Sequence, residues 1–198
     1  MNLALFDFDG TITFADTYTP FLNYAVTPRR LLLGKLLLGP MYLAYKLGLL
    51  PATTMRQAGS GFGFRGRRAD DVRRLGARYA HDVLSTQLRP EALERIQWHR
   101  TQGDTIVVVS ASLDMYLDEW CAQHDLALIC TRMEARDGVL TGRYHLGDCT
   151  GEEKARRVRE LYRLDSYPVV YAYGDTHEDR QLLDLAHRRY FRWQEVAA

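Results

Sequence analysis

Two aspartates lie two residues apart at the end of an apolar segment near the start of the chain. The segment 3–9 predicts a buried β-strand, and side chains alternate along a strand, so Asp7 and Asp9 are expected on the same side. Gly10 follows them and permits a tight turn. Because like charges this close are costly unless a cation lies between them, the pair indicates a cation-dependent site. Two solvated loop aspartates are the alternative.

Residues suited to phosphoryl-group chemistry also accompany two other predicted strands. The strand over 105–110 ends in a serine, and the strand over 169–173 is followed by a Gly-Asp pair with a further aspartate four residues on. A lysine lies on the helix predicted over 152–162. Because ligands of open α/β sheets bind beyond the carboxyl ends of the strands, these side chains are expected to meet. They are Ser110, Lys154, Asp175 and Asp179.

The elements that must position these residues alternate between strands and helices, which predicts an α/β fold with a parallel sheet. Residues 17–87 interrupt this alternation because they are helical and poor in strands, and we interpret them as a helical cap inserted after the first strand. The core is then formed by residues 1–16 and 88–198. The remaining predictions are strands over 126–130 and 189–192, helices over 69–83, 90–102, 113–124 and 178–185, and a hairpin of 133–136 with 139–144.

The order and context of these residues resemble the haloacid dehalogenase-like (HAD) phosphohydrolase superfamily. The matching segments are D-F-D-G-T at 7–11, V-V-V-S at 107–110, Lys154, and G-D-x-x-x-D at 174–179. The helical insertion is similar to the C1 cap of subfamily I, and the G-E-E-K segment at 151–154 resembles the phosphoserine phosphatase-like subfamily IB. The resemblance implies a Rossmann-like, three-layer α/β core with a parallel sheet and an inserted helical C1 cap.

The resemblance also implies a Mg²⁺-dependent phosphatase. Asp7 would attack phosphorus to form an aspartyl-phosphate, and Asp9 would protonate the leaving oxygen and later deprotonate the hydrolytic water. Mg²⁺ would be held by the side chains of Asp7 and Asp175 and by the backbone carbonyl of Asp9. A phosphotransferase, in which an alcohol replaces water, is the alternative reaction, and a binding protein without turnover is the alternative class.

Four residues are predicted to bind the phosphate, and one more to support them. The phosphate-binding candidates are Gly10, Thr11, Ser110 and Lys154, and Asp179 would anchor Lys154 or the waters of the metal. Ordinary structural roles are the alternatives. Ser110 caps the next helix in that interpretation, while Lys154 and Asp179 are solvated helix charges.

Three residues outside these motifs are candidates for recognising the substrate. Asp16 lies nine residues after Asp7, the position of a cap acid in phosphoserine phosphatases, and Arg56 and Arg65 are candidates for a cap arginine. The first motif has Gly10 where phosphoserine phosphatases usually have serine. The chain also resembles a subfamily IB group that includes phosphatidylglycerophosphate phosphatases, which have apolar caps, so a lipid-phosphate phosphatase is the alternative to a phosphoserine phosphatase.

The segment 31–50 is unusually rich in leucine, with basic residues before and within it. It fits a buried pair of cap helices, a dimer surface, or a membrane interface with its basic residues near anionic headgroups. Peripheral membrane contact is accordingly predicted for residues 29–50 in the last of these interpretations. The longest uncharged run is too short to span a bilayer.

Composition limits the partners of the chain. Its 198 residues carry a net charge of +1, which indicates no nucleic-acid partner. The ligand that the resemblance implies is a small-molecule or lipid phosphate monoester. Three widely spaced cysteines favour neither a disulfide framework nor a zinc site. We expect a cytoplasmic protein, with the inner face of the membrane as the alternative location. The oligomeric state stays open.

Overall fold

A six-stranded sheet forms the centre of the molecule, in a computed structural model that describes residues 1–197. The strands of this sheet are β1 (Leu3–Phe6), β2 (Thr105–Leu113), β3 (Ala127–Thr131), β6 (Val170–Gly174), β7 (Arg188–Phe191) and β8 (Gln194–Val196), and those of a separate hairpin are β4 (Met133–Arg136) and β5 (Val139–Tyr144). Their spatial order is β3-β2-β1-β6-β7-β8. Within this sheet the described pairings are all parallel except that of β7 with β8, so the predicted α/β class is confirmed.

Eight helices accompany the strands within residues 1–197. They are α1 (Tyr18–Ala25), α2 (Pro28–Lys46), α3 (Ala52–Phe64), α4 (Ala69–Asp82), α5 (Pro90–Thr101), α6 (Asp114–Gln123), α7 (Glu152–Leu161) and α8 (Arg180–Leu183). None of the helices described over residues 1–197 is both long and apolar enough to cross a bilayer.

The sheet is buried on both faces, as a parallel sheet between helices must be. Alternate residues of β1 enter two different core clusters, Ala4 and Phe6 in one and Leu3 and Leu5 in the other. Each cluster contains residues of β2 and β6 and of helices from its own side of the sheet. This three-layer packing explains why the central strands are continuously apolar.

The register of the central strands brings the predicted motifs to one edge. Phe6, the last residue of β1, is aligned with Val108 of β2 and with Tyr173 of β6. The backbone amide of Asp7 donates to the carbonyl of Tyr173 at 2.9 Å. The segments after β1 and β6 therefore leave the sheet side by side.

Helices α1–α4 all lie between β1 and α5 in the chain, where a helical insertion is predicted. The β4–β5 hairpin, grouped above with the core, lies against α3. A Cβ built at Gly61 of α3 would be 3.0 Å from the carbonyl oxygen of Gly142 in β5, and Arg68 forms a bridge with Val139. The hairpin is therefore part of the surroundings of the inserted helices.

The interpretation of segment 31–50 as a buried pair of helices is wrong. Residues 28–46 form the single helix α2, which continues through Pro40, and none of the residues described in it is buried. Leu36 and Leu43 are 69% and 61% exposed. Only one face of α2 contacts α3, so most of its leucines have no protein surface to cover them among residues 1–197.

Other predicted boundaries differ where the backbone bends. The first strand ends at Phe6, not at residue 9, because the chain turns towards Gly10, and the second continues to Leu113 with an irregular register after Ser110. The helix predicted over 178–185 is a 3₁₀ turn followed by the short α8. Strand β8 was not predicted, because its three exposed residues lack apolar alternation.

Candidate active site

The turn after β1 and the turn after β6 are in close contact. Gly10 has φ +82°, and a Cβ at this position would lie 2.3 Å from Oδ2 of Asp175. Both the conformation and the space therefore require glycine here. The hydroxyl of Thr11 donates to Oδ1 of Asp175 at 3.3 Å. These contacts hold the Asp175 carboxylate beside the backbone that carries Asp7 and Asp9.

Lys154 links two of the predicted carboxylates. From the first turn of α7, its Nζ donates to Oδ1 of Asp7 at 2.5 Å and to Oδ1 of Asp179 at 2.6 Å. Oδ2 of Asp179 accepts from the backbone amides of Asp175 and Thr176, both at 3.1 Å. All three linked side chains are buried. Asp179 thus orients Lys154 and fixes the turn after β6.

One buried ammonium group does not neutralise both of its carboxylate partners. Burial acts to lower the pKa of Lys154, but Asp7 and Asp179 together raise it, so the lysine stays charged. Burial also opposes ionisation of Asp179, yet its bonds to Lys154 lower its pKa overall. Asp7 differs, because burial outweighs the attraction of Lys154 and raises its pKa. Asp7 is the carboxylate that needs a further positive charge.

The acidic groups at this edge of the sheet suit a metal ion. Carboxylate oxygens of Asp7, Asp175 and Asp179 lie within 4.8 Å of one another. Both oxygens of Asp179 already accept hydrogen bonds, so Asp7 and Asp175 offer the oxygens available to a cation. Burial, followed by repulsion from Asp179, raises the pKa of Asp175. A hard divalent cation with oxygen ligands would relieve this excess of negative charge.

The carboxylate of Asp9 belongs to a different set of contacts. Its Oδ1 accepts from the backbone amide of Thr17 at 2.7 Å and from the Thr17 hydroxyl at 2.5 Å, and Oδ2 accepts from the hydroxyl of Ser112. Burial and then the charge of Asp16 raise the pKa of Asp9 to about 6, against the effect of these hydrogen bonds. Asp9 is thereby suited to holding a proton near neutral pH.

The sequence interpretation missed both partners of Asp9. Ser112 is the second serine of the S-A-S tripeptide, in which only Ser110 was given a role. Thr17 lies directly after the candidate Asp16, at the start of α1. The repeated hydroxyl at 110 and 112 was a usable signal, because the two alternate positions share one side of a strand.

The two serines have different surroundings. The Ser110 hydroxyl is buried and accepts from the backbone amide of Ser112 at 3.0 Å. Ala111 and Ser112 line the cleft beside Asp9. The bend at the end of β2 thus presents Ser112 and the adjacent backbone to the cleft, and Ser110 supports that bend.

The cap candidates are separated by the structure. Asp16 lies on the cleft rim, where its carboxylate accepts from the backbone amides of Tyr18 and Thr19 at the start of α1. Arg65, which follows the last residue of α3, does not line the cleft. It lines a second, separate groove. Of the three candidates, Asp16 and Arg56 line the cleft.

Arg56 is already paired with acidic groups. Its Nε contacts Oδ2 of Asp148 at 2.8 Å and its Nη2 lies 3.5 Å from Oε2 of Glu178. Asp148, in the loop between β5 and α7, also accepts from the Thr131 hydroxyl at 3.1 Å. These bonds connect α3 to the loop after β5 and to the turn after β6, so Arg56 links the inserted helices to the segments around the catalytic residues.

The cleft itself has a volume of about 640 Å³ and a largely apolar outer part. The carboxylates of Asp7, Asp9 and Asp175 and the ammonium of Lys154 line its inner end. Apolar and aromatic residues from the inserted helices and the loop before them line the outer end: Phe14, Tyr18, Leu22, Tyr42, Tyr45 and Met55. The cleft therefore offers a charged end for a phosphate and an apolar end for the group attached to it.

Comparison with known proteins gives the family. The chain is 32% identical over 197 residues to Protein CicA of Caulobacter vibrioides, with 96% of this chain and 85% of that protein covered. A Bordetella pertussis Tohama I protein of unknown function has a TM-score of 0.84 at 24% identity, covering 96% of this chain and 88% of that one.

A phosphoserine phosphatase, solved as a phospho-aspartyl intermediate analogue, has a TM-score of 0.66 at 18% identity, covering 96% of this chain and 85% of that one. At these identities the two solved structures establish the fold alone. The family profile of haloacid dehalogenase-like hydrolases matches residues 4–184, a span that contains every motif residue described above. The resemblance read from the sequence is confirmed: the chain belongs to the haloacid dehalogenase-like hydrolase family.

Proposed function

We propose that the protein is a Mg²⁺-dependent phosphomonoesterase that works through an aspartyl-phosphate on Asp7. The observation that carries this proposal is the asymmetry of the Asp7 carboxylate. One oxygen accepts from Lys154, while the carboxyl group as a whole faces the cleft next to Asp175. A carboxylate held by one oxygen presents the other as an oriented nucleophile.

In the first half of the reaction, the free Asp7 oxygen forms a bond to phosphorus as the ester P–O bond breaks. Asp9 delivers a proton to the leaving oxygen, and its pKa, raised to about 6, keeps the protonated form accessible at slightly acidic to neutral pH. The hydrogen bonds from Thr17 and Ser112 fix the direction of the Asp9 carboxyl group. The products are the free alcohol and the phosphorylated Asp7.

In the second half, Asp9 acts as the base. It takes a proton from water, the water oxygen attacks phosphorus, and the bond between phosphorus and the Asp7 oxygen breaks to release inorganic phosphate. Both halves need a group that exchanges one proton near neutral pH, which matches the raised pKa of Asp9.

Positive charge at the phosphate comes from two sources in this proposal. Lys154 stays protonated and lies between Asp7 and Asp179. The side chains of Asp7 and Asp175 and the backbone carbonyl of Asp9 would hold Mg²⁺, which would supply electrostatic stabilisation of the phosphoryl oxygens. Gly10, Thr11 and Ser110 support phosphate binding through the turn after β1 and the bend after β2.

The cleft favours a phosphate ester with an apolar leaving group. Phosphoserine is less well matched, because Arg56 is paired with Asp148 and Glu178 and Asp16 caps α1. A lipid-phosphate phosphatase is the second candidate. The exposed helix α2 supports it, since Tyr42, Tyr45 and Lys46 of this helix also line the cleft.

The test is a screen with Mg²⁺ against sugar phosphates, amino-acid phosphates, nucleotides and short-chain phosphatidic acids. We expect the highest kcat/KM for esters with apolar leaving groups, loss of turnover on chelation of the metal, and phosphate on Asp7 in acid-quenched samples by mass spectrometry. Hydrolysis with the covalent phosphate on another residue, or no turnover of any ester with any divalent cation, would contradict the proposal.

A further inference from the structure

Helix α2 has one packed face and one face with no protein over it. Successive residues of a helix are offset by about 100°, so Gly34, Leu38 and Tyr45 lie on the same side of α2. This is the packed side, because Gly34 lies next to Phe62 of α3. Leu32, at 64% exposed, belongs to the opposite side with two leucines that are exposed to a similar degree. The exposed large apolar residues along and just beyond the helix are Leu32, Leu33, Leu36, Leu37, Tyr42, Leu43, Leu47 and Leu49. So much contiguous apolar surface on one element indicates an interaction surface.

The charge of this region is of one sign. Residues 17–69 contain eight lysines and arginines and no aspartate or glutamate. Four of the basic residues precede or lie within α2, namely Arg29, Arg30, Lys35 and Lys46. The net charge of the whole chain is only +1, so this part of the surface is locally positive while the rest carries the compensating acids.

A second groove lies along the flank of α2 away from the cleft. It has a volume of about 850 Å³ and is lined by arginines and apolar side chains. Its arginines come from four elements or loops, and one acidic residue, Glu134, lies among the described lining residues. The arginines are Arg30, Arg65, Arg136 and Arg143, and the large apolar residues are Leu33, Phe62 and Leu140.

We propose that the exposed face of α2 and this arginine groove together form a docking surface for an anionic lipid bilayer. Helix α2 lies in the plane of the interface with its leucines among the acyl chains, and Arg29, Lys35 and the arginines of the groove contact the phosphates of the headgroups. A convex apolar helix with basic residues along it is the arrangement that interfacial helices share.

A second copy of the chain is a poorer occupant of the surface. A two-fold dimer places the same patch of both subunits together, so it would bring Arg29 and Lys35 of each copy towards those of the other. Residues 17–69 offer no carboxylate to pair with them. An anionic bilayer supplies the opposite charge and a fluid surface that fits a convex helix.

Docking would place the catalytic cleft at the membrane surface. Tyr42 and Lys46 lie on α2 and line the cleft, and the Lys46 Nζ lies 5.5 Å from the centre of the Tyr42 ring. A phosphate ester in the headgroup layer would then reach the cleft along the helix. This consequence rests on the proposed phosphatase function, whereas the docking itself does not.

The first test measures co-sedimentation with vesicles of phosphatidylglycerol and phosphatidylcholine, and with phosphatidylcholine alone. We expect the wild type to bind the anionic vesicles and the triple variant Leu32→Ser, Leu36→Ser, Leu43→Ser to bind more than about tenfold less tightly. The matched control, Leu146→Ser with Leu161→Ser, changes leucines that are 58% and 68% exposed on other surfaces and should bind as the wild type does.

The second test separates charge from apolar contact. Each basic residue near an anionic membrane contributes about fivefold in affinity, so Arg29→Gln with Lys35→Gln should weaken binding about twentyfold at low salt and much less at high salt. Arg136→Gln with Arg143→Gln should do the same if the groove contacts headgroups. Arg78→Gln, an exposed arginine of α4, is the control and should have no effect.

Hydrolysis of p-nitrophenyl phosphate in solution keeps the two proposals distinguishable. Vesicle binding by a wild type that turns over no ester would support docking and contradict the phosphatase. A triple variant that keeps soluble turnover and melting temperature but loses vesicle binding would support both. No binding to anionic vesicles at low salt, equal binding to neutral vesicles, or a wild-type dimer that the triple variant dissociates would overturn the docking proposal.

Discussion

The inner end of the cleft and the helix α2 contrast in how the rest of the molecule constrains them. In the cleft, Lys154, Asp179 and Asp9 each make at least two hydrogen bonds to other elements. In α2, none of the described residues is buried, and the large side chains of one face are more than half exposed.

This difference teaches that the two regions respond to different kinds of change. The geometry of the cleft depends on internal contacts, so conservative substitutions there should have large effects. Helix α2 is set mainly by its own backbone and by one packed face, so substitutions on its open face should leave folding unchanged. Four experiments, from the largest expected effect to the smallest, test this contrast.

The largest effect is expected for Asp7→Asn. An amide is not a nucleophile towards phosphorus, so turnover should fall by at least about 10⁴-fold. Removing one of the carboxylates around a single lysine should also raise the melting temperature of the metal-free protein, because burial already raises the pKa of Asp7. Steady-state kinetics and thermal unfolding check both effects, and retained turnover in a preparation free of other phosphatases contradicts the assignment.

Asp9→Asn should be the next most damaging substitution. Loss of the acid and base should lower the rate by about 10²–10⁴-fold for an alkyl phosphate. The loss should be smaller for p-nitrophenyl phosphate, whose leaving group needs little protonation. Ser112→Ala, which removes one hydrogen bond to Asp9, is a milder companion variant. Equal losses for the two substrates would show that Asp9 is not the acid.

Two glycines compare a helix packed in the interior, α4, with the open helix α2 through the free energy of unfolding. A Cβ at Gly76 of α4 would lie 1.7 Å from the carbonyl oxygen of Met115 in α6, so Gly76→Ala should lower the free energy of unfolding by about 3 kcal/mol or more. At Gly39 of α2 there is no described atom within 4 Å of the same position. Gly39→Ala should raise the free energy of unfolding by up to about 1 kcal/mol, because alanine favours helix.

Urea denaturation of both variants measures this contrast. Equal destabilisation by the two substitutions would mean that α2 packs against another surface after all, and would remove the physical basis of the comparison. An unchanged stability for Gly76→Ala would mean that α4 and α6 separate easily.

The smallest effect concerns pH. Burial lowers the pKa of His99 from 6.5 despite its hydrogen bond to Asp104 at 2.9 Å. Below pH 6.5 the unfolded chain therefore binds a proton that the folded state does not, and the histidine lowers stability as the pH falls, by up to about 1.4 kcal/mol per pH unit. The raised pKa values of Asp9 and Asp114 act in the opposite direction.

The difference between wild type and His99→Gln reports this contribution, since Asp9 and Asp114 are common to both proteins. The variant also loses the hydrogen bond that, against burial, lowers the pKa of Asp104, and this loss changes the difference in the same direction. Between pH 6.5 and 4.5 the free energy of unfolding of the wild type should fall relative to that of the variant. A constant difference over this range would show that His99 is not held neutral in the folded state. The residues of α2 are not expected to contribute, because its titratable groups are lysine, arginine and tyrosine.

Much of the cleft was predictable because its residues are tied to strand ends. The apolar runs identify the central strands. Asp7 and Asp175 directly follow two of them and Ser110 ends the apolar run of a third, which places these residues at one edge of the sheet. Lys154 was predictable from its motif context on a charged helix. What was not predictable is the partner set of Asp9, because Thr17 and Ser112 lie 8 and 103 residues away along the chain.

The sequence by itself determined which strands carry the motif residues, the α/β class and the family, because these depend on local apolar patterns and on motifs that keep their order along the chain. Only the tertiary structure decided that Arg56 pairs with Asp148, that Arg65 faces another groove, and that the leucines of α2 are open. The physical reason is that a leucine-rich helix has the same local pattern whether it is buried or exposed. Its burial depends on which distant surfaces the fold brings to it. Among the described elements, only α3 packs extensively on α2, and it covers one face of this helix.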